Sequence, residues 1–227
     1  MDRNQKNLIT DLFILMILPF FMLYVIYPLI SDIFTGHHNS IAPIDFIIAI
    51  LFQFSSVGLG SVLVMLIRKE SFAKFGVVKE NSLKAMLLTP IAFIPQYILS
   101  ILTSKDFIFI PFQHVISPRF LTTFNFFQRA IMYFIIILVW EFFEAFTYVV
   151  INDKFNSIFK PKNPFLNPGA ILCAIFVIVI HLSIGNCNLD WDIVCTFITI
   201  YGMLVVREFT KNSIGSLFWF TFFWNTI

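Results

Sequence analysis

Trp140-Glu141-Phe142-Phe143-Glu144 sets two acidic side chains three residues apart inside an apolar run from Ile131 to Ile151. A charged carboxylate at the centre of a membrane helix costs about 2.5–3.5 kcal/mol on insertion scales, so carboxylates at that depth are functional candidates by default. Three residues is nearly one helical turn, which puts Glu141 and Glu144 on one face. What they do depends on whether the surrounding run lies in hydrocarbon.

The composition answers that question. The chain has 227 residues, of which 59% are apolar, 18% aromatic and only 12% charged, and its mean hydropathy is positive. Soluble domains carry about 45–50% apolar and about 25% charged residues. The apolar residues also fall in long runs, which predicts an all-α polytopic membrane protein rather than a soluble core. Cys173, Cys187 and Cys195 form no CxxC pair and no even framework, so a disulfide scaffold is not expected. The first apolar run follows Asp2, Arg3 and Lys6, has no small-residue cleavage site, and reads as a retained span.

Working outward from Glu141 and Glu144, about seven transmembrane segments are expected. They cover roughly residues 8–30, 46–67, 85–103, 130–151, 169–185, 193–206 and a short last segment, 213–227. Gly58 and Gly60 read as a close helix-packing point. Pro90 and Pro95 predict a kink in the third span. Residues 105–129 are mixed, and their apolar piece 107–116 is too short to span, so it reads as interfacial or re-entrant. Residues 152–168 read as a polar loop. An N-terminus in the cytoplasm puts residues 1–7, 68–84, 152–168 and 207–212 inside. These hold twelve of the fifteen Lys and Arg residues, leaving Lys105, Arg119 and Arg129 outside, a strong positive-inside bias. The basic connector 68–84 then serves as a topology determinant at an anionic leaflet, not as a nucleic-acid site.

Glu141 and Glu144 read either as a carboxylate pair for general-base or metal chemistry or as a structural pair satisfied by neighbouring Tyr, Thr or Asn side chains. His181 lies in Phe-Val-Ile-Val-Ile-His-Leu with no other charge in that run, and reads either as a hydrogen-bonded core histidine or as a functional one. Asn225 near the end of the chain reads as a packing amide, with Thr221 one turn earlier able to donate a hydrogen bond. His37 and His38 are adjacent in an outer loop and His114 lies in the interfacial piece, a weak basis for a zinc site. No phosphate-cradling glycine loop, HExxH or GxSxG motif occurs.

The order of these residues resembles the CPBP family of intramembrane peptidases, the CAAX-protease and bacteriocin-processing or Abi group. Phe143-Glu144-Ala145-Phe146-Thr147-Tyr148 is similar to its first motif, with Glu144 at the second glutamate, Phe143 where the first belongs, and Tyr148 in place of an arginine. Cys173 to His181 resembles the second motif, with His181 matching and Val177 at the usual phenylalanine. Gly202 through Ile214 resembles the approach to the last motif, where Asn225 matches and Thr221 occupies the histidine position. Phe72-Ala73-Lys74-Phe75-Gly76-Val77 resembles the segment common before the family core.

The resemblance covers about residues 72–226. It implies a division into an N-terminal transmembrane pair, 1–71, and a peptidase core, 72–227, in a multi-pass cell-membrane protein. It further implies hydrolysis of a peptide bond by Glu/His-activated water in CAAX-type processing, peptide maturation or bacteriocin self-immunity. Glu144, Glu141, His181, Asn225 and Thr221 would form the site, with Glu141 one turn away as a replacement for the glutamate absent at Phe143. A divalent metal is the cofactor this chemistry could use, although without a second histidine the ligand set is incomplete. Expected partners are the lipid bilayer and a peptide or C-terminal segment of a membrane-associated substrate, with no nucleic acid. Two alternatives stand beside the peptidase: a catalytically inactive immunity or partner-binding protein of the same fold, and a small proton-coupled transporter.

Overall fold

The computed structural model describes residues 3–34, 43–104, 125–183 and 191–224. Among these residues the chain is helical and holds no strand. Helix α1 (Arg3–Phe21) runs through a π-helical turn, Met22–Ile26, into α2 (Tyr27–Phe34). Helix α3 (Pro43–Gln53) runs through a second π turn, Phe54–Gly58, into α4 (Leu59–Arg68). Then come α5 (Ser82–Leu88) and α6 (Pro90–Ser104). Helix α7 (Phe126–Ile136) passes through a third π turn, Ile137–Phe142, into α8 (Phe143–Phe159). The chain closes with α9 (Pro168–Ser183), α10 (Trp191–Thr210) and α11 (Ile214–Phe223).

Five of the resulting rods are long and apolar enough to cross a membrane: Asn4–Ser31, Phe46–Arg68, Ser82–Leu102, Phe126–Phe159 and Trp191–Thr210. Pro168–Ser183 and Ile214–Phe223 are apolar but shorter. A hydrocarbon core of about 30 Å needs about 20 helical residues at 1.5 Å each, and these two helices have 16 and 10. Length alone therefore carries five spans rather than the expected seven. Leu29, Leu102, Phe126 and Leu66 are among the many large apolar side chains left exposed on the outer faces, as helices that face hydrocarbon instead of water would have them.

Helix α8 is the axis of the bundle. Ala145, Phe146, Val149, Val150 and Ile151 are fully enclosed, with α1 and α4 on one side and α9 and α11 on the other. Leu15 of α1 and Val64 of α4 belong to the same apolar cluster as Phe146, Ile200 and Phe220. Small residues let the backbones approach: a Cβ added at Gly202 of α10 would lie 2.6 Å from the Cβ of Ala92 on α6. Gly58 ends the second π turn against Phe143, whose Cβ would be 3.0 Å from an added methyl, in keeping with the packing role expected there. The widened turn is closed by Thr147 of α8, whose hydroxyl donates to the Val57 carbonyl, a typical remedy where a π turn disturbs the backbone ladder.

One expectation is corrected by the packing. Residues 152–168 are not a loop throughout, because α8 continues to Phe159. Asn152 and Lys154 are buried in it and are tolerated there because carboxylates from other segments meet them. The basic connector 68–84 also packs into the fold. It forms a short 3₁₀ turn, Phe72–Phe75, with Phe75 fully buried and set edge-on against Phe146 at 5.6 Å between ring centroids. Asn212 pins it by donating to the carbonyls of Val78 at 2.6 Å and Glu80 at 2.7 Å, and the Ser213 amide donates to the Gly76 carbonyl at 2.7 Å.

Those contacts gather the four basic segments at one end of the bundle. Arg68 bonds Asp11 at 2.7 Å and the Asn7 carbonyl at 3.0 Å. Asn81 donates to the carbonyl of Thr210 at 3.1 Å. Lys69, Lys160 and Lys211, just past the ends of α4, α8 and α10, all adopt left-handed backbone. A cation there complements the negative end of each helix dipole. The segments assigned to one side of the membrane by charge therefore do share one end of the fold.

Candidate functional site

Helix α8 and the π turn before it position both glutamates. Glu141 lies in the turn and Glu144 one position into α8, and both are buried. A π turn changes the angular step between residues, and such turns recur at functional sites. Tyr148, one α-helical turn after Glu144, donates its hydroxyl to Glu144 Oε1 at 2.5 Å. The charge-assisted bond is short, as phenol-to-carboxylate bonds are. Tyr148 is itself held by Phe220 of α11, edge-on at 5.6 Å, and its carbonyl lies 3.6 Å from the Cys173 thiol of α9.

His181 reaches the same place from α9. That helix starts beside Asn156, whose side-chain oxygen accepts the Gly169 amide at 3.0 Å, so α9 runs antiparallel to α8. The imidazole is within electrostatic reach of the Glu144 carboxylate. Its Nδ1 lies 2.9 Å from the Val177 carbonyl. A carbonyl only accepts, so Nδ1 carries the proton in that bond and Nε2 presents a lone pair in the neutral ring.

Thr221 of α11 is also buried, on the helix that packs against the third π turn. Its hydroxyl has no hydrogen-bond partner among the described residues. Asn225, the remaining expected member, lies outside the described residues, as do His37, His38, His114 and Cys187. Among the described residues no group of three or more His, Cys, Asp or Glu side chains is arranged to hold a metal ion. Glu144 and His181 supply two donors, fewer than the three protein ligands usual at a catalytic zinc. The arrangement can bind and move a proton: a carboxylate with one oxygen occupied by a phenol and an imidazole within electrostatic reach.

A second polar centre, not anticipated from the sequence, lies at the ionic end. The Lys154 ammonium contacts Asp11 at 2.9 Å and Glu70 at 2.8 Å, with the Lys154 and Asp11 side chains each only 2% exposed. Beside it, Arg207 pairs with Glu208 and, at 2.9 Å, with Asp153. Glu208 also accepts from Asn152 and Asn156, each at 3.1 Å, and from Lys211 at 2.9 Å. The available signal was Asp11, a lone acid inside the first apolar run. A buried acid requires a cation, and Asp11 meets two, Lys154 and Arg68.

No protein-family model, curated protein or solved structure matches this chain.

Proposed function

We propose that this chain is a multi-pass protein of the cell membrane that hydrolyses a peptide bond at the Glu144–Tyr148–His181 cluster. Its ionic end and N-terminus face the cytoplasm, and α9 and α11 complete seven membrane-embedded segments. The observation that carries the reading is a buried carboxylate held by a phenol at 2.5 Å, with an imidazole from an antiparallel helix within electrostatic reach. A membrane interior tolerates such groups only where they are paired, and they mark sites of proton chemistry.

In this reading Glu144 takes a proton from water as its oxygen attacks the carbonyl carbon of the scissile bond. Tyr148 fixes the carboxylate's orientation. His181 is positioned to hold or return a proton to the departing amine as the C–N bond breaks, and Thr221 is free to donate toward the oxyanion. The substrate is a peptide or the C-terminal segment of a membrane-associated protein. The test is cleavage of a panel of short fluorogenic peptides by the purified protein in proteoliposomes. Glu144→Gln and His181→Ala should each reduce the rate to background; wild-type turnover in both variants overturns the reading.

A second reading is a non-catalytic immunity or partner-binding protein on the same fold. It is supported by Glu141, which is fully enclosed, and by Tyr148, which occupies one Glu144 oxygen. Protection against a bacteriocin that persists in the Glu144 and His181 variants would favour it.

A further inference from the structure

At the ionic end a cavity of about 520 Å³ opens between the connector, the end of α8, the loop after it and the end of α10. Pockets for small ligands run from roughly 300 to 1,000 Å³. Four cations line this one, Lys74, Lys162, Arg207 and Lys211, against two carboxylates, Asp153 and Glu208.

The two carboxylates are already engaged. Glu208 accepts from Asn152, Asn156, Arg207 and Lys211, and Asp153 is bonded by Arg207. The donors are not used up. Lys162 makes no ion pair among the described residues. Lys74 and Lys211 each pair with one carboxylate, and an ammonium has three protons to give. The Arg207 side chain is only 8% exposed, and its Nε has no hydrogen-bond partner among the described residues, an uncommon state for a buried donor. Pro161 and Pro164 stiffen the loop that carries Lys162.

We infer that this cavity binds a phosphate-bearing anion, either a free phosphate group or the headgroup phosphate of an anionic lipid. A group with several acceptor oxygens and one or two negative charges matches an excess of two positive charges and donors arriving from three segments. The cavity lies where the ends of α8 and α10 meet the basic connector, the level at which a bundle of this kind meets lipid headgroups. This site is separate from Glu144, which lies nine residues back along α8 from Asp153, and does not depend on the peptidase reading.

The experiment uses the full chain purified in uncharged detergent and in phosphatidylcholine vesicles with and without phosphatidylglycerol. Thermal unfolding is followed against inorganic phosphate in the first and against phosphatidylglycerol content in the second. Wild type should be stabilised by at least one probe in a saturable manner. The concentration needed should rise about tenfold in Lys162→Gln/Lys211→Gln and stay unchanged in the charge-matched control Lys6→Gln/Lys79→Gln. Stabilisation by inorganic phosphate identifies a free phosphate site; stabilisation by phosphatidylglycerol alone identifies a headgroup site. If neither probe stabilises wild type, or both double variants weaken equally, the inference is overturned.

Discussion

The Tyr148 hydroxyl donates to Glu144 Oε1 at 2.5 Å across one turn of α8, at the centre of the bundle.

Tyr148→Phe keeps the ring against Phe220 and deletes only that hydroxyl. Loss of a hydrogen bond to a buried carboxylate should destabilise the protein by about 1–3 kcal/mol. In the peptidase reading it should also lower the cleavage rate while leaving Glu144→Gln the more severe variant. Thermal unfolding and the peptide assay, run on both variants, separate the two effects.

Lys154→Met should be among the most destabilising single changes outside the apolar core. It leaves Asp11 buried with Arg68 alone and removes a donor from Glu70, and breaking a buried pair typically costs about 3–5 kcal/mol. Asp11→Asn combined with Lys154→Met should cost less than the sum of the two single changes, because the pair is removed together and Asp11 is not left charged without Lys154. Unfolding of the four proteins in one detergent measures that coupling.

Glu70 predicts an acid-sensitive component of stability. Partial burial alone would raise its pKa, but the hydrogen bonds and charges of Lys154 and Lys74 outweigh burial and hold it below the ordinary glutamate value. A carboxylate depressed in the folded state contributes stability that is present above its unfolded value and is lost as the pH falls through the folded one. Stability should therefore decline on acidification below about pH 4.5, and Glu70→Gln should flatten that part of the curve, as read by melting temperature against pH.

Gly202→Val should separate α10 from α6. Even the first added carbon would sit 2.6 Å from Ala92 Cβ, and overpacking of this kind typically costs about 1–3 kcal/mol. Pairing it with Ala92→Gly, which frees that space, should recover part of the lost melting temperature.

Partners from other segments explain why helix boundaries read from hydropathy shift by several residues. Hydropathy sees an apolar run from Ile131 to Ile151, whereas the rod extends from Phe126 to Phe159. Its last turns carry Asn152, Asp153 and Lys154, which resemble a loop in sequence and are held in helix by partners from α1, α10 and the connector. Glu144 and His181 could each be singled out from the chain, because a lone polar group in an apolar run is visible locally. Tyr148 as the donor to Glu144 could not, since a tyrosine in such a run is unremarkable until its partner's direction is known.

The amino-acid order by itself determined that the chain is helical and membrane-like, that most of its Lys and Arg residues fall in four segments, and that Glu141, Glu144 and His181 lie within apolar runs. Hydrophobic run length and charge placement are properties of single helices, and they survive without knowledge of the fold. Tertiary structure alone decided that those four segments share one end, that Asp11 meets Lys154 and Arg68, and that α9 runs antiparallel to α8 with His181 within electrostatic reach of Glu144. These are pairings between residues far apart in sequence, and only the packing of α1, α9, α10 and the connector around α8 brings them within reach.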